Sequence, residues 1–224
     1  SLQQYFLSMF EQAKNQKSKA IQHIVKQPEF NKAYILMSEL IAKNIEHPKL
    51  STLRAEIEHE LAENPKMKIM VFAQYRDTIS RICKELNELN GIKAKIFVGQ
   101  AKKGKGEKST GLNQKEQKNV LIEFSHGECN VLCATSIGEE GLDIPEVNAV
   151  IFYEPVPSAI RAIQRAGRTA RLMPGKLKIL IAKGTRDEGF YYASKAKEKR
   201  MHTAIHEIKN NLENPKKTEK QKKL

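Results

Sequence analysis

No stretch of this 224-residue chain is apolar for the roughly 20 residues that a membrane-spanning helix needs, which argues against a membrane protein of the helical kind. The first ten residues, SLQQYFLSMF, carry no basic stretch ahead of a long apolar one, so they do not read as a secretory leader. The chain starts at Ser1 rather than Met and is expected to be a piece of a longer polypeptide. Cysteine is scarce, at three residues. An odd, sparse set excludes a disulfide-stapled secreted fold and fits a reducing, intracellular, cytoplasmic setting. Cys129 and Cys133 lack a second thiol pair, and His202 and His206, one helical turn apart, lack a third ligand. No metal is expected; packing and a solvated helix face account for both pairs.

Acidic side chains are also short, at 26 Asp and Glu against 39 Lys and Arg, for a formal net charge of +13 and a pI of about 9.6. Such an excess favours polyanions, chiefly nucleic acid, through phosphate contacts and counterion release. A usable phosphate loop is missing. Gly99, Gly104 and Lys105 match G-x-x-x-x-G-K, but Gly106 follows where a Ser or Thr must ligate Mg²⁺. No helix opens directly afterwards to offer its N-terminus. Residues 100–112, QAKKGKGEKSTGL, read instead as a mobile basic loop that touches a nucleic-acid backbone. There is no D-E-x-H run and no E-R-K nuclease signature.

What is present falls into two rhythms. Residues 1–64 read as helices, with apolar stripes at spacings of three and four. One runs through Leu2, Tyr5, Phe6, Met9 and Phe10, a second through Phe30, Ala33, Leu36, Met37, Leu40 and Ile41, and a third through Leu50, Leu53, Ile57 and Leu61. Pro28, Pro48 and Pro65 punctuate them. After Pro65 come short apolar runs, KIMVFA, AKIFVG, NVLCAT, NAVIFYE and LKILIAKG, separated by helical stretches over 76–90, 113–126 and 158–167. Such alternation predicts an α/β fold with a mostly parallel sheet, which places ligands at the carboxyl ends of its strands. A long helix begins near Thr185, and a lysine-rich tail, expected to be disordered, closes the chain.

Two segments bear candidate chemistry. In QRAGRTAR, residues 164–171, Arg168 and Arg171 lie three apart and share a helix face, a pair suited to a spread negative charge such as a phosphoryl group. In ATSIGEEGLDIP, residues 134–145, Thr135 and Ser136 offer hydroxyls and N–H groups at a strand end. Gly138 and Gly141 there permit a close-approaching backbone, and Asp143 supplies a carboxylate for a sugar hydroxyl.

Together these segments resemble motifs VI and V of superfamily-two helicases. VFAQYRDT, residues 71–78, resembles motif IV, and GLNQKEQKNVLIEF the glutamine-bearing segment after it. The resemblance runs from about residue 49 to near 205. FVGQA, IFYEPVPS and AKGTRDE look closest to the archaeal Hef helicases and their Fanconi-anaemia-type eukaryotic relatives.

The resemblance implies a RecA-like parallel sheet flanked by helices over 49–212. Residues 1–48 are then an all-helical segment ending a helicase insertion domain, and 213–224 the basic tail. It implies that Arg168 and Arg171 reach the γ-phosphate of ATP, with Gln164 beside the nucleotide and Gly141 and Asp143 near phosphate and ribose. It further implies that Thr135 holds a nucleic-acid phosphate, with Gln74, Tyr75, Arg76 and Gln114 near the strand track. Ala170 departs from the family's usual glycine. Mg²⁺ and the triphosphate would be held mainly by an N-terminal RecA-like domain of the same polypeptide. The isolated chain is therefore expected to be inactive as an ATPase. DNA, forked or branched, is the expected partner. The alternatives are an RNA helicase of the Dicer or innate-immune type and a non-catalytic nucleic-acid-binding module on the same fold.

Overall fold

The computed structural model describes residues 2–15, 18–99, 111–135, 145–155 and 176–213. Four helices come first: α1 (Leu2–Lys14), α2 (Lys19–Val25), α3 (Pro28–Ala42) and α4 (Pro48–Glu63). Strands and helices then alternate: β1 (Ile69–Phe72), α5 (Arg76–Leu86), β2 (Ala94–Phe97), α6 (Gln114–His126), β3 (Val131–Ala134), β4 (Ala149–Phe152), β5 (Lys176–Ile179) and α7 (Arg186–Glu213). The five strands form one parallel sheet in the order β2-β3-β1-β4-β5. This is the α/β architecture that the alternation predicts.

Every residue of β1, β3 and β4 is buried, because helices cover both sheet faces. Side chains alternate across the sheet. On one face Ile69 and Val71 pack with Leu50, Leu53 and Ile57 of α4 and with Ile79, Ile82 and Leu86 of α5. On the other, Met70, Phe72, Leu132 and Phe152 pack with Phe124 of α6. Each such fully buried side chain contributes about 1.5–3 kcal/mol, so the sheet centre is the rigid base of the domain.

The edge strand β5 is held by charge as well as by its ladder. Lys176 and Lys178 donate to Glu60 of α4 at 2.8 and 2.7 Å, Lys176 also reaches Glu63, and Lys178 pairs with Glu56. Glu60 is 1% exposed. Burial alone would raise its carboxyl, but the two lysine hydrogen bonds outweigh it and hold it below the ordinary glutamate range.

Helices α1 and α3 close on an aromatic cluster in which Phe6 meets Phe30 at 4.8 Å and Phe10 meets Tyr34 at 5.1 Å between ring centroids. Of the stripe expected on α3, Met37 is buried, whereas Leu36, Leu40 and Ile41 stay exposed. The periodicity marks an apolar face correctly, but no described element covers that half of it. No described helix is long and apolar enough to cross a membrane.

Candidate nucleic-acid interface

The strands end level with one another. Phe72, Phe97, Ala134 and Phe152 are register partners across β1, β2, β3 and β4. The ladder runs one residue further, through Ala73 N–H to Ala134 O (3.1 Å) and Tyr153 N–H to Phe72 O (2.8 Å). Beyond that line lie Gln74, Tyr75 and Arg76 after β1, Gly99 after β2, Thr135 after β3 and Glu154 after β4. Four of the five residues expected near a strand therefore share the carboxyl edge of the sheet, and Gln114, at the start of α6, is the fifth.

Helix α5 opens at this edge. Tyr75 occupies its N-cap in extended conformation, makes no side-chain cap hydrogen bond and is 61% exposed. The first-turn N–H groups thus lack a capping oxygen from that position, which suits an anion, although Asp77 in the same turn opposes one. Arg76 donates to Gly99 O at 3.0 Å, tying the start of α5 to the end of β2. Helix α6 differs. Asn113 and Glu116 form a reciprocal capping box, with Glu116 N–H on Asn113 at 2.9 Å and Asn113 N–H on Glu116 at 2.6 Å. Gln114 is exposed beside this closed N-terminus.

Thr135 sits at the edge but below its surface. It is 6% exposed, and its N–H reaches Phe97 O at 3.4 Å. Gln164, Arg168 and Arg171, Gly141 and Asp143, Ser136 and Gly138, the expected helix over 158–167, Gly104 to Gly106 and the lysine-rich tail lie outside the described residues.

The edge also contains groups that motif spacing missed. The Glu154 carboxylate accepts the Gln74 N–H at 2.9 Å. Gln117, buried one turn after Gln114, donates to Val98 O at 2.9 Å and pins α6 to the end of β2. Behind β4, Lys49 donates to Tyr153 O at 3.0 Å and pairs with Asp187, which also accepts the Ala182 N–H at 3.0 Å. Burial pulls Asp187 upward, yet the Lys49 and Ala182 hydrogen bonds prevail and hold it below the usual aspartate value. Burial, then Glu154, pushes the Tyr153 hydroxyl up to about 12, so it remains neutral at this edge. Only a periodic search for buried polar residues on α6 would have flagged Gln117.

Burial pushes the Cys129 thiol up to about 11, and a hydrogen bond with Cys83, with burial, raises Cys133 well above the ordinary thiol range. Both are packed thiols rather than thiolates. Among the described residues, no group of three or more His, Cys, Asp or Glu is placed to hold a metal.

A level carboxyl edge on a parallel sheet, with Gln74, Tyr75, Arg76 and Thr135 lined along it, fits a RecA-like domain. The chain belongs to the helicase conserved C-terminal domain family, whose pattern matches residues 48–173. It is a superfamily-two C-terminal domain, similar to Hef and Fanconi-anaemia-type helicases. The Pyrococcus furiosus Hef helicase domain superposes with a TM-score of 0.64 at 48% identity, covering 86% of this chain and 38% of that one. A Methanocaldococcus jannaschii protein, provisionally named an ATP-dependent RNA helicase, is 43% identical over 88% of this chain and 24% of its own length. The ATP-dependent DNA helicase mph1 of Neurospora crassa is 41% identical over 64% of this chain and 12% of its own length. The mouse Fanconi anemia group M protein homolog is 34% identical over 88% of this chain and 10% of its own length. The chain thus spans between 10% and 24% of the length of these three curated relatives.

Proposed function

We propose that this chain is the second RecA-like motor domain of an ATP-dependent nucleic-acid helicase or translocase. The motor domain occupies 49–212, with 1–48 ending a helical insertion and 213–224 forming a basic tail. The observation that carries this reading is the common carboxyl edge shared by Gln74, Tyr75, Arg76 and Thr135, within a chain matched by the helicase C-terminal pattern.

In this reading a partner RecA-like domain, absent from this chain, holds the triphosphate and most of the Mg²⁺ coordination. ATP supplies the phosphoanhydride whose hydrolysis drives the two domains apart. Arg168 and Arg171 lean toward the developing charge, Gln164 lies beside the nucleotide, and Gly141 and Asp143 border phosphate and ribose. The N-terminus of α5, flanked by Gln74 and Arg76, receives a strand phosphate, with Thr135 beside it. Phosphate contacts carry little sequence information, so recognition depends on strand and junction shape rather than on base identity. Without the partner domain the chain hydrolyses no ATP above background.

The name of the Neurospora relative favours DNA, and the resemblance to Hef-like helicases points to its forked or branched form. The Methanocaldococcus relative favours RNA, and the same experiment separates the two. Fluorescence anisotropy with forked DNA, duplex DNA and duplex RNA of equal length should rank forked DNA first, with affinity falling as salt rises. Preference for duplex RNA would replace the DNA reading. No binding to any of the three would remove the function itself.

A further inference from the structure

A cavity of about 430 Å³ opens at the opposite, amino-terminal edge of the sheet. Its lining includes Lys66, Lys68, Lys93 and His126, and no carboxylate. Among the described residues, neither Lys66 nor Lys93 makes an ion pair, although this molecule pairs lysines readily elsewhere, as at Lys176 and Lys178. Three lysines on one cavity wall with no carboxylate among the lining residues give it a positive potential that favours an anion.

The local backbone is arranged to keep them there. Lys68 leads into β1 and Lys93 into β2. The Asn130 side chain donates to Gly91 O and accepts the Lys93 N–H, both at 2.8 Å, which fixes the turn carrying Lys93. Asn148 accepts the Lys68 N–H at 2.8 Å. Helix α6 points its C-terminus into the cavity, and that negative end alone would disfavour an anion. Lys68 offsets it, because its ammonium donates to Ser125 O at 2.8 Å. Lys66, Lys93 and His126 line the same cavity and make no ion pair among the described residues. Gly91 and Gly127, at φ of 77° and 79°, leave open space where a side chain would begin, so the mouth is unobstructed.

We infer that this amino-edge cavity is a phosphate-binding site, separate from the carboxyl edge. Apart from the His126 imidazole, the lining has no aromatic ring on which a base could stack, and it has no extended apolar wall for an acyl chain. The chemistry recognised is therefore the charge of a phosphate group. Two sources supply it: the backbone of a nucleic-acid strand, which rests on the proposed function above, or a small inorganic phosphate, which does not. In the first case a second segment of a branched substrate passes on the side of the sheet away from Gln74.

The test uses the whole chain and two double variants with the same change of net charge. One is Lys66→Glu with Lys93→Glu. The control is Lys32→Glu with Lys84→Glu, on α3 and α5. All four lysines are exposed, so the fold should persist. Inorganic phosphate, titrated at constant ionic strength, should shift the Gly91 and Gly127 amide resonances saturably in the native chain and the control, but not in the cavity variant. Forked-DNA affinity should fall further in the cavity variant than in the control, with the slope of log K against log salt reduced by about 2. A response to DNA alone assigns the site to a strand, and a response to phosphate alone assigns it to the small anion. A cavity variant that matches the control in both measurements, or a native chain whose Gly91 and Gly127 signals ignore phosphate while DNA binding is unchanged, overturns the inference. Should the cavity variant misfold, the phosphate titration of the native chain decides alone. Failure of the proposed function would appear at the other edge, as DNA binding or motor turnover indifferent to Arg76 and Arg168.

Discussion

Glu154, at the end of β4, accepts a 2.9 Å hydrogen bond from the backbone N–H of Gln74, at the end of β1. A carboxylate therefore occupies the edge that the proposed function gives to a strand phosphate. Glu154→Gln keeps an oxygen for the Gln74 N–H and removes the charge. One nearby like charge costs about 1 kcal/mol in water, less in salt, so forked-DNA affinity should rise about two- to fivefold at low ionic strength. Weaker binding by this variant would show that the charge itself helps to build the edge.

The Lys49–Asp187 pair joins the start of α4 to the start of α7 behind Tyr153. Its side chains are 9% and 17% exposed, so losing one partner strands the other. Asp187→Asn should cost about 2–4 kcal/mol at pH 7 in urea unfolding. Because the folded carboxyl lies below its unfolded value, near 3.9, the native pair contributes fully above about pH 5 and loses its contribution as pH falls below that. The gap between native and variant should therefore shrink in acid. A gap equal at pH 7 and pH 3 would contradict the assignment.

Glu60 is the buried half of the clasp on β5, whereas Lys176 and Lys178 are partly solvated. Glu60→Gln should therefore cost only about 1–2 kcal/mol. The effect should be local. Amides bonded along β5, those of Lys176 and Leu180, should lose hydrogen-exchange protection before those of β1. Uniform loss across the sheet would mean that the clasp supports the whole domain instead.

The strands were legible because parallel strands buried on both faces appear as short apolar runs, and all five runs became strands. Helix α5 was not, at its far end. Periodicity carried it to residue 90, but it stops at Leu86. The Asn87 side chain there donates to Cys83 O and Ala94 O and accepts the Ala94 N–H, drawing the chain into a turn. Glu154 and the Lys49–Asp187 pair were illegible for a different reason. Each acts on a partner far away in sequence, and only the folded sheet brings them together. The α3 stripe shows the limit from the other side: spacing identifies an apolar face without identifying what covers it. Of the residues expected near a strand, Gln74, Tyr75, Arg76 and Thr135 lie at the carboxyl edge of the sheet. Thr135 is the exception in accessibility, since spacing does not reveal that the residue is buried.

In the proposed motor, Arg168 and Arg171 complete an ATP site held by another RecA-like domain. The direct measurement is ATP turnover by a polypeptide joining this chain to that domain, compared with its Arg168→Ala and Arg171→Ala variants. The account predicts a loss of about a thousandfold or more in each, with thermal unfolding nearly unchanged. Turnover at the native rate in either variant would contradict it.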